Sequence, residues 1–191
     1  MSGNLDMALW YLGRGTGVAA LLMFTVTMVL GIVNRSGRSM LGVGRFGVTD
    51  LHRTASLTGT ALLVAHIVTL LFDPYAQLRL VDFVLPFLGS YRPLYLGLGT
   101  LALDLVALVV VSSLLRRRLG PRVFRAMHWT TYALWPLAMV HVLGIGTDIG
   151  TLWLRGVALV CGVAVAASVV WRLSEGYTER GIARRPRKVA S

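Results

Sequence analysis

The chain has four histidines, His52, His66, His128 and His141. They fall in two pairs, each bracketing an apolar stretch: LHRTASLTGTALLVAH from Leu51 to His66, and HWTTYALWPLAMVH from His128 to His141. An ionisable side chain inside a membrane-length apolar segment is expensive, so its presence asks for a chemical reason. One pair is 14 residues apart and the other 13, which on a helix is about 21 Å and about 20 Å. If both segments cross in the same direction, His52 lies level with His128 and His66 with His141. Each level then holds two imidazoles and no cysteine, glutamate or further histidine. Two side chains are too few for a zinc ion, which takes three or four protein ligands. They suffice for haem, whose porphyrin supplies the other four nitrogens. Two bis-histidine haems stacked across a bilayer fit this inventory. Hydrogen bonding between helices is the alternative employment for the four rings.

The elements that must hold these rings are long and apolar. Of 191 residues only 14% are charged, and mean hydropathy is +0.70. Both values place the chain among multi-pass membrane proteins rather than soluble domains. Five spans are predicted, at about Ala8 to Val33, Leu51 to Phe72, Leu94 to Leu115, Ala126 to Ile145 and Leu152 to Leu173. Pro74, Gly89 to Pro93, Gly120–Pro121 and Gly146 to Gly150 punctuate the joints. The predicted architecture is an all-α membrane bundle, with one domain over residues 1–173 and a basic tail over 174–191. MSGNLDMALWYLGRGTG has no basic region ahead of its apolar run, so the first span is expected to stay as a helix rather than be cleaved.

The net charge of +11 is nearly all arginine. The arginines cluster between spans, which points to topology and anionic lipid rather than nucleic acid. Arg35, Arg38 and Arg45 fill the first connection, with Arg53 at its edge, Arg116, Arg117, Arg118, Arg122 and Arg125 the third, and Arg172, Arg180, Arg184, Arg185, Arg187 and Lys188 the tail. Far fewer face the other side. The bias predicts an outside N-terminus and a cytoplasmic C-terminus, with both histidine-bearing spans running outward. The connection DPYAQLRLVDFVLPFLGSYRP is too interrupted for a crossing and is expected to lie in the outer interface.

Helical phase fits one pair better than the other. Fourteen steps of about 100° return to within about 40° of the starting face, whereas thirteen miss by about 140°. Pro136 lies between His128 and His141, and a kink there is the expected remedy. Gly59, midway between His52 and His66, leaves room for a macrocycle or for a close helix contact. Arg14, Arg53 and Arg92 fall near the depths expected for haem propionates, though each also suits a topology anchor. Trp135 sits between the two levels, as a bridge or as packing. Asp104, at the centre of the third span, is expected inside the bundle, and Cys161 is read as a small buried hydrophobe.

HRTASLTGTALLVAH and HWTTYALWPLAMVH, separated by one histidine-free span, resemble the ferric reductase-like transmembrane domain. That family includes the membrane parts of NADPH oxidases and metalloreductases, and the haem subunit of the bacterial methionine-sulfoxide-reducing system. WYLGRGTGVAALLMFTVTMVLG and PFLGSYRPLYLGLGTLALDL also look like its bacterial members, and the likeness covers about Trp10 to Arg172. The resemblance implies two haem b groups, the inner on His52 and His128 and the outer on His66 and His141, carrying electrons outward. It also implies departures from the oxidases, which have six spans and a flavin and nicotinamide domain after them. No glycine-rich phosphate loop follows Leu173. The expectation is therefore a membrane electron-transfer component in a bacterial cytoplasmic membrane, fed by a separate flavoprotein, reductase or quinol. Its electrons would pass to an extracytoplasmic acceptor. The competing expectations are a quinone-linked cytochrome b subunit and a haem-free transporter or assembly protein.

Overall fold

The computed structural model describes residues 2–40, 42–145, 150–174 and 177; the predicted basic tail after Tyr177 and the joint over 146–149 lie outside them. Among the described residues six helical elements follow in order: α1 (Ser2–Ser36), α2 (Arg45–Phe72), α3 (Pro93–Leu114), α4 (Arg116–His128, kinked at Gly120, whose φ is 75°), α5 (Thr131–Ile145) and α6 (Leu152–Leu173). No strand occurs among the described residues, and a short 3₁₀ turn, Leu80–Phe83, lies between α2 and α3. Helices α1, α2, α3 and α6 are each long and apolar enough to cross a membrane, with span hydropathies from 1.9 to 2.3. The protein is a helical, multi-pass membrane protein.

Local sequence explains the boundaries. α1 stops where Gly37 takes φ of 72°, a left-handed conformation that glycine adopts without a Cβ penalty. α3 starts on Pro93, at a position whose N–H has no partner within the helix. Within the spans, threonine hydroxyls turn back onto their own helix: Thr16 to Leu12 O, Thr27 to Met23 O, Thr60 to Ser56 O and Thr69 to Ala65 O, all within 2.9 Å. Such bonds satisfy the hydroxyls where no water is at hand.

The predicted span Ala126 to Ile145 is not one helix. Trp129 and Thr130 form a turn that separates α4 from the 15-residue α5. Across it the main-chain bonds shorten from i→i−4 to i→i−3: Thr130 N–H to Met127 O at 3.1 Å, Tyr132 to Trp129 at 3.1 Å and Ala133 to Thr130 at 3.0 Å. Pro136 lies inside α5, so the expected site of the irregularity is corrected: it falls six and seven residues earlier. Arg172 of α6 braces the break, donating to the Tyr132 hydroxyl, its guanidinium 4.8 Å from the Trp129 ring centroid.

Two apolar clusters hold the helices together. Leu21 of α1 packs with Trp135 and Met139 of α5 and with Cys161 and Val165 of α6. Leu30 and Val33 of α1 pack with Val48 and Ala55 of α2. The Trp135 indole N–H donates to the Thr25 hydroxyl at 2.9 Å, linking α5 to α1 inside the bundle. Leu57, Val64, Val111, Leu159 and Val163 stay exposed, as side chains facing lipid do.

Candidate functional site

Helices α1 and α2 pack antiparallel, and their register places two carbonyls of α1 opposite the histidines of α2. The His52 ring meets Thr27 O through Nδ1 at 2.9 Å, and His66 meets Gly13 O at 2.6 Å. Thr27 and Gly13 are 14 residues apart, the same interval as the histidines they serve. On the other side of the bundle, His141 of α5 meets Tyr95 O of α3 at 2.8 Å. A carbonyl only accepts, so Nδ1 carries the proton in all three rings. That tautomer leaves the Nε2 lone pair bare, which is the form in which imidazole ligates a metal.

The fourth ring differs. His128, the last residue of α4, has a buried Nδ1 that meets no partner among the described residues. The ring stacks on Phe124, with centroids 5.5 Å apart and planes 27° apart. It also faces His52: the two centroids are 6.4 Å apart and the planes 71° apart. Two metal–nitrogen bonds of about 2 Å, taken with two ring radii, come to about 6 Å. The separation therefore suits one metal between them.

The tight turn works in the direction that the 13-residue spacing needs. A residue wound three to a turn advances about 120°, some 20° more than in an α-helix, and rises about 2.0 Å in place of about 1.5 Å. Over the three steps from His128 to Thr131, where α5 begins, that recovers about 60° of the missing 140°.

Other candidates take different places. A Cβ on Gly59 would lie 3.2 Å from Met23 Cβ and from the Phe24 ring, so this glycine lets α1 and α2 approach. Trp135 is a buried member of the core, and Cys161 is buried at 1% exposure, as expected. Asp104 is exposed on α3, which corrects its expected burial within the bundle. The Arg14 guanidinium lies 4.0 Å over Trp10, one residue along from the carbonyl that holds His66. Arg92, in the left-handed region at φ 41°, donates to the Gly144 carbonyl near His141. Arg53 is exposed beside His52.

The sequence reading missed Gly17, Gly31 and Gly99. A Cβ on Gly17 would stand 2.9 Å from His66 Nδ1, one on Gly31 3.2 Å from His52 Cε1, and one on Gly99 against the His141 ring. The signal was available in part, since Gly17 and Gly31 repeat the 14-residue interval of the α2 histidines. No group of three or more His, Cys, Asp or Glu able to hold a bare metal ion occurs among the described residues.

The family model described as ferric reductase like transmembrane component matches residues 16–139. The match spans His52, His66 and His128 and ends two residues before His141. No curated protein and no solved structure matches the chain.

Proposed function

The chain belongs to the ferric reductase-like transmembrane family, and from that premise we propose that it carries electrons across a bacterial cytoplasmic membrane through two b-type haems. His52 and His128 hold the inner haem, and His66 and His141 the outer. The observation that carries this reading is the proton placement: three carbonyls take Nδ1–H and leave three Nε2 atoms bare. The 6.4 Å separation of His52 and His128 supports it further, as do the glycines, which leave space against three rings that any side chain would fill.

Haem, when bound, would supply one-electron chemistry, and His52, His66, His128 and His141 are the residues that would hold it. The chain supplies placement and a dry surround. Thr27, Gly13 and Tyr95 fix the tautomers through their main-chain oxygens, and the lipid-facing helices exclude water from the level of the rings. Arg14 of α1, Arg53 of α2 and Arg92 at the start of α3 carry guanidinium groups that would suit propionate carboxylates.

In this reading the chain crosses the membrane five times, as α1, α2, α3, α5 with the end of α4, and α6. The arginines of α4 and of the α1–α2 connection lie on the cytoplasmic side, and residues 1–173 act as one haem-binding domain followed by the tail. Electrons arrive there from a separate flavoprotein, reductase or quinol. They leave at the outer level to an acceptor approaching between Tyr75 and Arg92. The test is a reduced-minus-oxidised spectrum of the detergent-purified protein with haem quantified per chain. Two b-type haems are expected, falling to one in His66→Ala or His128→Ala. A colourless protein made with ample haem supply would overturn the reading.

A further inference from the structure

Three imidazoles occupy the same local seat, built three times over. In each case Nδ1 meets the carbonyl of a residue i on a neighbouring helix, and the residue at i+4 on that helix is glycine. The seats are Gly13 with Gly17 for His66, Thr27 with Gly31 for His52, and Tyr95 with Gly99 for His141. In a helix the carbonyl of i already accepts the N–H of i+4, which leaves its second lone pair turned outward beside the Cβ of that residue. Where i+4 is glycine, no Cβ stands there and a flat ring reaches the lone pair. Other glycines meet different neighbours or none: a Cβ on Gly59, Gly97 or Gly144 would meet apolar or aromatic side chains, and one on Gly15, Gly156 or Gly162 would meet nothing within 4 Å.

His128 lacks a seat. The face of α3 that bears Tyr95 and Gly99 recurs fourteen residues on at Val109 and Ser113. There a serine stands in place of glycine, and the Val109 carbonyl accepts the Ser113 hydroxyl at 2.7 Å and the Ser112 hydroxyl at 3.0 Å. That carbonyl already accepts two hydroxyls, and the His128 Nδ1 is buried without a partner among the described residues.

We infer that Gly17, Gly31 and Gly99 are positioning residues that hold three of the four imidazoles in the ligating orientation, and that the inner pair is held from one side alone. The inference rests on the reading of the histidines as haem ligands. Partners of this kind tune the metal and change its affinity by about 10- to 100-fold when lost. Gly17 and Gly99 therefore govern the outer pair, and Gly31 is the sole seat of the inner one.

The test compares wild type with Gly17→Ala, Gly31→Ala, Gly99→Ala and the control Gly162→Ala. It measures haem per chain, the two components of a potentiometric titration, the low-spin electron paramagnetic resonance signals, and haem loss to apomyoglobin. Gly31→Ala is expected to alter the component lost in His128→Ala, while Gly17→Ala and Gly99→Ala alter the other. Haem loss from the affected site should rise about 10- to 100-fold. Gly162→Ala should match wild type. The close approach at Gly99 exposes that variant to misfolding, whereas the milder 3.2 Å contact at Gly31 preserves a folded test. Two haems in wild type with all three alanine variants unchanged, or with both components altered equally in each, would overturn the seats and leave the haem reading standing. A wild type without haem would overturn the haem reading itself, and the seats with it.

Discussion

Removing the acceptor of the Trp135 indole by Thr25→Val should destabilise the bundle and leave a signature that a packing defect does not. Thr25 is 6% exposed and Trp135 9%, and their bond is 2.9 Å long. The threonine hydroxyl also donates to Leu21 O at 2.8 Å, so its proton is committed and its oxygen is free to accept. Valine takes nearly the same volume and leaves a buried indole N–H without an acceptor, a loss of about 1–3 kcal/mol in a protein interior. Interhelical bonds in membranes are worth less on average, about 0.6 kcal/mol with an upper limit near 1.7, because the unfolded helices also find partners. The full burial of both groups places this pair toward that upper limit, at about 1 kcal/mol of coupling. Trp135→Phe removes the donor together with some packing volume. In the double variant the orphaned N–H is gone, so the loss should fall short of the sum of the single losses by about that coupling. Unfolding in mixed micelles, followed by tryptophan fluorescence or circular dichroism, measures all four corners. Additivity within about 0.3 kcal/mol would refute the bond as a source of stability and reduce Trp135 to a space-filling residue.

Gly59→Leu should lower the melting temperature by the equivalent of about 1–3 kcal/mol, because its side chain would have to push Met23 and Phe24 aside; differential scanning fluorimetry in detergent measures this. Asp104→Asn should leave stability unchanged or raise it, since the carboxyl is exposed at the centre of an apolar span; a clear loss would show that it holds a partner. Hydrogen bonds from the Arg79 side chain and main chain hold the Asp82 carboxyl below the usual carboxylate range. A depressed folded value adds stability above the unfolded value of about 3.9 and loses it as pH falls through the folded one. Protease cleavage between Arg79 and Leu88 should therefore rise only in acid, whereas Asp82→Asn should be cleaved readily at neutral pH. The Cys161 thiol, at 1% exposure, should resist maleimide in the folded protein and react after unfolding in dodecyl sulfate.

The histidines were legible because their cost in an apolar segment makes them conspicuous, and because two periods of nearly fourteen residues fix their depths. What seats them was less so. The acceptors at Gly13, Thr27 and Tyr95 are main-chain carbonyls, which any residue carries, so no side chain announces them. The glycines beside those carbonyls do leave a mark, since Gly17 and Gly31 repeat the interval of His52 and His66 on the partnering helix. That pattern becomes visible only when two helices are compared in antiparallel register, which a reading along one segment at a time does not do. Proline is the strongest local signal in HWTTYALWPLAMVH, so the sequence puts a kink at Pro136 within one continuous span. The structure instead tightens the turn at Trp129 and Thr130, where the sequence has neither proline nor glycine and where Arg172 of α6 closes over Trp129 and Tyr132. Local bonds and a distant contact meet at that turn: the Thr130 and Thr131 hydroxyls donate to Met127 O at 2.7 Å and His128 O at 2.8 Å, while Arg172 lies forty residues or more away in the chain, beyond any reading of one segment. The same limit explains Asp104: hydropathy gives its depth along the helix, but the face it occupies depends on which sides of α3 the 3₁₀ turn and α5 cover. Thr100, one turn away, donates to Asp82 O at 2.7 Å and lies beneath that turn, while Asp104 is exposed. Depth is a property of one segment, and burial belongs to the pair of segments that meet there.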